Sequence, residues 1–136
     1  YDGFKLFGES LEEGYRSRDQ PLGRLHAVGW AYFEFAMSHP VHYRLMFMQR
    51  GEFLKRKPEG YDSVIDSFGV LERVIGEAIE ANIMIKGDVR AFAAVIWASV
   101  HGVVSLALVD QLGFDLETAK YLFGMQMDAI KRAYCA

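Results

Sequence analysis

A single cysteine, Cys135, is all the thiol chemistry this 136-residue chain carries. An intrachain disulfide framework is therefore excluded, and a reducing, cytosolic setting fits best. Basic surplus is missing too: 15 Lys and Arg face 18 Asp and Glu, a formal charge of −3. A chain that neutralised phosphates by itself would need a basic excess or stripe, so this segment is not expected to bind DNA alone. No run of alternating β-branched residues is bounded by hairpin turns, which removes the strand signal. Repeats, heptad series and low-complexity segments are absent as well. Neither a Cys-x-x-Cys, nor the Glu-x-x-His pairs of di-iron bundles, nor a phosphate-cradling glycine loop occurs, and no metal or cofactor is expected. No basic stretch precedes an apolar run at the start, so no signal peptide is read there.

What is present is apolar and helical. Half the residues are hydrophobic (51%), 14% are aromatic and 24% are charged. That is the composition of a single globular domain, long enough to bury roughly 68–70% of its unfolded surface without a metal or disulfide. Phe4, Phe7, Leu11 and Tyr15 recur at helical spacing across residues 2–19, with Lys5, Glu9, Glu12, Glu13 and Arg16 on the other faces. Pro21 suits the first turn of a second helix, which reaches about Ser38 and is greasy on nearly all sides. Pro40 breaks it and opens a short third helix to about Gln49. Residues 50–60 contain Gly51, Pro58, Gly60 and the basic run Lys55-Arg56-Lys57, and read as a solvated loop.

Asp62 or Ser63 is expected to cap a fourth helix that runs to about Ile85, with Val64, Phe68, Leu71, Ile75, Ile79 and Ile83 as its stripe and Gly87 as its C-terminal cap. Asp88 caps a fifth, to about Leu112. Gly113 ends that helix, and Asp115 with Glu117 opens a sixth, to about Tyr134. The fold class is all-α, a six-helix bundle.

The fifth helix is the most informative. Residues 91–109 are nineteen in a row without a formal charge, long enough for a membrane span. His101, Ser99 and Ser105 within the run, and the amphipathic character of the other helices, favour a helix covered by protein instead. Six helices can hardly surround it, so a second copy of the chain is expected to complete the cover. Small residues at spacings of three and four (Ala91, Ala94, Ala98, Gly102 and Ser105) form a ridge that another helix could approach closely. The sixth helix offers Leu116, Ala119, Phe123, Met127 and Ile130 as the matching stripe. Together they are read as an isologous four-helix dimer interface; a ridge that packs only within its own chain is the plain alternative.

An aromatic and thioether-rich interior points to a cavity between the helices. Its expected lining is Trp30, Phe33, Met37, Met46, Phe47, Phe68, Leu71, Trp97 and His101. For each residue taken singly, ordinary core packing is the simpler reading. His101 reads first as a satisfied structural histidine and second as a polar anchor for a ligand. His39 and His42 could touch one ion, but Pro40 disturbs the register and no third ligand stands nearby, so they read as a helix boundary.

The run Ile96-Trp97-Ala98-Ser99-Val100-His101-Gly102 resembles the W…HG signature of the WHG type of C-terminal domain in TetR/AcrR-family transcriptional regulators. The segment Tyr32-Phe-Glu-Phe-Ala36, followed by His39-Pro-Val-His-Tyr-Arg-Leu-Met-Phe47, is similar to that class's second landmark. The resemblance covers essentially the whole chain. It implies a single ligand-binding and dimerisation domain over residues 1–136, with a helix-turn-helix DNA-reading domain preceding it in the full protein. It also implies a cytoplasmic homodimer, in which the two last helices form the interface and the middle helices enclose a small apolar or amphipathic effector. Operator DNA would be met only through the preceding domain, in a regulator, most simply a repressor, with no enzymatic role. A small helical enzyme or ligand carrier, or a pure oligomerisation module, is the competing reading.

Overall fold

The computed structural model describes residues 3–47, 61–109 and 115–136, with the side chains of 61–66 left out. Six helices carry the described chain: α1 (Gly3–Arg16), α2 (Pro21–Ser38), α3 (Pro40–Phe47), α4 (Tyr61–Glu80), α5 (Val89–Leu108) and α6 (Leu116–Tyr134). The basic run at 55–57, the far end of the third helix and Gly113 lie outside the described residues.

Helix boundaries follow local chemistry. Pro21 occupies the first turn of α2, where its missing N–H costs nothing. The Asp88 carboxylate accepts from the backbone N–H of Arg90 at 3.0 Å and of Ala91 at 3.4 Å, satisfying two orphan donors of α5. Asp115 caps α6 through Thr118 N–H at 2.7 Å, and the Thr118 hydroxyl together with that N–H holds its carboxyl below the usual range. Glu117 in the first turn and Lys131 and Arg132 in the last complement the helix dipole.

The end of α4 corrects the expectation drawn from Gly87. The helix stops at Glu80, and Asn82 takes a left-handed conformation with φ 60°. Asn82 N–H then bonds Ile79 C=O at 3.0 Å, while Ile83 N–H bonds Ala78 C=O at 2.9 Å, the paired closure of a Schellman motif. Asparagine tolerates that geometry because its short polar side chain compensates for the Cβ crowding. At the other end, Tyr61 is already helical, so Asp62 and Ser63 lie inside the helix and do not cap it.

Central to the bundle is α2, which packs against all five other helices, whereas α1 fits most closely against α2 and α4. Close approach is built in at Gly14, where a Cβ would lie 3.0 Å from the Ala27 carbonyl oxygen. Nearby, the Tyr15 ring is held between two guanidinium groups, with Arg24 at 4.1 Å and Arg73 at 4.0 Å from its centroid. Its hydroxyl donates to Glu77 at 2.5 Å, so this one side chain ties α1 to α2 and α4. Arg44 of α3 donates to the Leu108 carbonyl and closes the last turn of α5. After α6, Ile85 N–H bonds Tyr134 C=O and Ala136 N–H bonds Ile83 C=O, both at 2.8 Å, so the final residues lie against the α4–α5 turn.

The core runs through every helix. Phe4, Phe7 and Leu11 of α1 are buried as their spacing predicts; of the stripe expected on α4, Ile75 is buried while Phe68, Leu71 and Ile79 are only partly so, and Val70, Val74 and Ala78 complete the core face instead. Phe33 and Phe123 meet at 4.8 Å between centroids, and Trp30 lies edge-on to Phe123 at 5.1 Å. This aromatic seam joins α2 to α6.

Candidate ligand cavity

Between α1, α2, α4 and α5 lies a cavity of about 680 Å³, reached also by the tips of α3 and α6. That volume sits inside the range of small-molecule sites. Aromatic side chains enter it from five helices: Phe4 and Phe7 from α1, Tyr32 from α2, Phe47 from α3, Phe68 from α4 and Trp97 from α5. Aliphatic and thioether groups complete it, including Leu11, Leu25, Val28, Met46, Leu71, Val100, Met127 and Ile130. Among the described residues, charged side chains enter the wall at one place, where Glu72 and Arg90 come within 3.8 Å of each other. Arg90 is well exposed and Glu72 only partly, which puts this pair at the rim.

Five of the nine residues read from the sequence as lining do line it: Met46, Phe47, Phe68, Leu71 and Trp97. The other four do not. Trp30 and Phe33 belong to the seam with Phe123, because the faces of α2 that carry them turn toward α6. Met37 packs against the core without reaching the cavity wall. His101 stands one layer behind, stacked on Trp97 at 5.2 Å and tilted against Tyr43 at 5.6 Å. The whole contribution of α1 was missed, although Phe4, Phe7 and Leu11 form a stripe plain in the sequence. A periodic stripe marks a buried face without saying whether core or cavity lies against it.

The polar element of the interior joins two phenols and His101, and the Trp97 indole N–H also bonds the Tyr32 hydroxyl. The hydroxyls of Tyr32 and Tyr43 bond each other, and the Tyr43 hydroxyl also bonds Nδ1 of His101. Tyr32 OH stands 3.3 Å from the same nitrogen. Burial raises both phenols well above the ordinary tyrosine value of 10.0 and lowers His101 below its ordinary 6.5. All three are therefore neutral near pH 7. Of the three, Tyr32 alone lines the cavity.

The residues expected at a dimer interface divide in the same way. Ala119, Phe123 and Ile130 are 0–5% exposed within one chain and have no surface to offer a partner. Met127 faces the cavity and covers Gly29. This corrects the assignment of that α6 stripe: in a bundle the bulkier apolar face goes to the helix's own core. Leu116 is exposed, with Tyr121 and Met125 beyond it on the outer side of α6. On α5, Ala94 and Ala98 are exposed while Gly102 and Ser105 are half-buried, and Ala94 also borders the cavity. Among the described residues α5 is the one helix long and apolar enough to cross a membrane, yet only 28% of its apolar window is buried inside this chain. Its inner face (Ala93, Ile96, Val100, Val104, Leu108) is core, whereas Val95 and Leu106 stand 56% and 51% exposed.

The fold and cavity define a six-helix all-α domain with a hollow, aromatic-walled interior. Residues 25–130 match the family model described as "Tetracyclin repressor-like, C-terminal domain", and the chain belongs to that family. Such domains typically bind ligands and dimerise in TetR-type regulators. A solved structure, that of a protein with unknown function from Rhodococcus sp. RHA1, superposes with a TM-score of 0.81 at 21% identity. The match covers 99% of this chain and 70% of that one, and it shows a shared fold. No curated protein matches.

Proposed function

We propose that this domain senses a small apolar or amphipathic effector for a TetR-type transcriptional regulator, acting as a cytoplasmic homodimer. The observation that carries the reading is the cavity of about 680 Å³, lined by six aromatic side chains and bordered by the Glu72–Arg90 ion pair. A pure oligomerisation module with a solid core would have no use for such a space. An enzyme would need a nucleophile or a base with an orienting partner at the cavity wall. Among the described residues, His101 is bonded to phenols and to no carboxylate, and it stands behind the wall.

Self-association draws support from the outer side of α5. Ala91, Val95, Ala98, Gly102, Leu106 and Val109 follow one another at helical spacing, and Tyr121 and Met125 of α6 extend the apolar surface. A second copy related by a two-fold axis would cover both helices. An effector acts only through its difference in affinity between two arrangements of that dimer, and a tenfold bias requires about 1.4 kcal/mol. In the full regulator that bias would reposition DNA-reading domains and release the operator, as a repressor does.

A thermal-shift screen with uncharged apolar compounds tests the sensor, and light scattering after size exclusion tests the dimer. The reading expects saturable stabilisation without turnover and a mass twice that of the chain. Turnover of a bound compound, or a monomer at micromolar concentration, would overturn the respective half.

A further inference from the structure

One part of the cavity wall is shaped by a missing side chain. Leu25, Val28, Gly29 and Tyr32 form the α2 side of the wall, and Gly29 alone of the four has no side chain. It lies in mid-helix without a left-handed φ, where alanine would be the favoured residue, so no turn accounts for it. Space does. A Cβ on Gly29 would collide with Met127 Cε of α6 and stand 2.8 Å from its Sδ, so the thioether tip rests on the Gly29 backbone. Met127 is itself a lining residue, and with Ile130 it forms the α6 side of the wall among the described residues.

We infer that Met127 is a specificity-determining residue of the cavity, a two-position stopper seated on Gly29 that selects apolar occupants by size. The inference rests on the effector-cavity reading and deepens it. Seated against Gly29, the tip lies back in the wall and leaves the α2–α6 end of the cavity open. Displaced from that seat, it has one direction to take. Val28 beside the notch, and Phe123 and Ile130 one turn away on α6, are 0–5% exposed and already packed, so the open volume within reach is the cavity itself. Methionine suits the part: it is unbranched, its last torsions turn between staggered wells, and its polarizable sulfur packs against irregular surfaces. Ile130, branched and buried, has no such freedom. A bulky occupant needs the tip in its seat, whereas a small one leaves room for the tip to swing inward against it.

The test uses Nile red as a bulky fluorescent occupant and naphthalene, measured by displacing it, as a small one. Gly29→Ala fills the seat and drives the tip into the cavity; the displaced atoms are the end of a flexible side chain, so α2 and α6 keep their spacing. Nile red should bind about tenfold more weakly, the contact of one to two methylene-sized groups, and naphthalene less than about twofold. Adding Met127→Ala should restore Nile red to within about threefold of the wild type, because no tip remains to be displaced. Unchanged Nile red binding in Gly29→Ala, an equal loss for naphthalene, or a loss that persists in the double variant overturns the inference and leaves the cavity reading intact. Failure of both compounds to bind the wild type overturns the cavity reading itself. A measurement without substitution guards against a variant that does not fold: with Nile red bound, the Met127 ε-methyl should show nuclear Overhauser contacts to the Gly29 α-protons. A complex in which that methyl has left Gly29 would overturn the assignment.

Discussion

Phe123 of α6 lies with its ring 4.8 Å from that of Phe33 of α2, and neither is more than 1% exposed. The pair joins the last helix to the central one inside a single chain, so its loss is a loss of core. Phe123→Ala should lower the free energy of unfolding by about 3–5 kcal/mol, read from urea denaturation at fixed protein concentration. The residue is not at a subunit boundary, so the mass measured by light scattering under native conditions should be unchanged.

The opposite pattern is expected on the outer face of α5. Leu106 is half-exposed and lies on the same stripe as Val95 and Ala98. Leu106→Glu should leave helix content by circular dichroism intact and convert the proposed dimer to a monomer, since an unpaired charge would be desolvated at its centre. A variant that remains dimeric would move the interface elsewhere.

His101 makes stability depend on pH in a definite direction. Burial lowers its folded pKa below the ordinary 6.5, so the unfolded chain takes up a proton more readily than the fold does. Stability from this group is complete above pH 6.5 and declines as pH falls through 6.5 toward the folded value, then levels off. His101→Gln removes the titration while leaving an amide beside Tyr43. The wild type should therefore lose more stability than His101→Gln between pH 7.5 and pH 5, in paired urea titrations.

Two glycines give a matched comparison. A Cβ at Gly14 would lie 3.0 Å from the Ala27 carbonyl oxygen and 3.1 Å from the Ala31 Cβ, whereas at Gly76 nothing lies within 4 Å. Alanine is favoured over glycine in a helix interior by about 0.8–1 kcal/mol. Gly76→Ala should therefore raise the thermal midpoint. Gly14→Ala should lower it, because forcing α1 and α2 apart costs about 1–3 kcal/mol and outweighs that gain.

Much of the architecture was legible in one dimension. The two prolines at 21 and 40, with Asp88 and Asp115 as side-chain caps, mark helix ends through local chemistry that needs no tertiary partner. The stripe of Phe4, Phe7 and Leu11 declared a buried face for the same reason. Gly87 was the misleading signal: Asn82 had already ended α4. Several residue types can adopt a left-handed cap, and composition does not say which one will.

Helix order among the described residues, the thiol-poor composition without a basic surplus and the unusual greasiness of α5 were settled by the order of residues alone, because propensity, capping and periodicity act within a few residues. The rotation of each helix about its axis was settled only by the assembled fold. Trp30, Phe33 and Phe123 could equally have faced a cavity or a partner, and the packing of α2 against α6 turned them to one another. The same packing left Tyr32 at the edge of an open space with His101 behind it, and no local spacing encodes a neighbour 69 residues away.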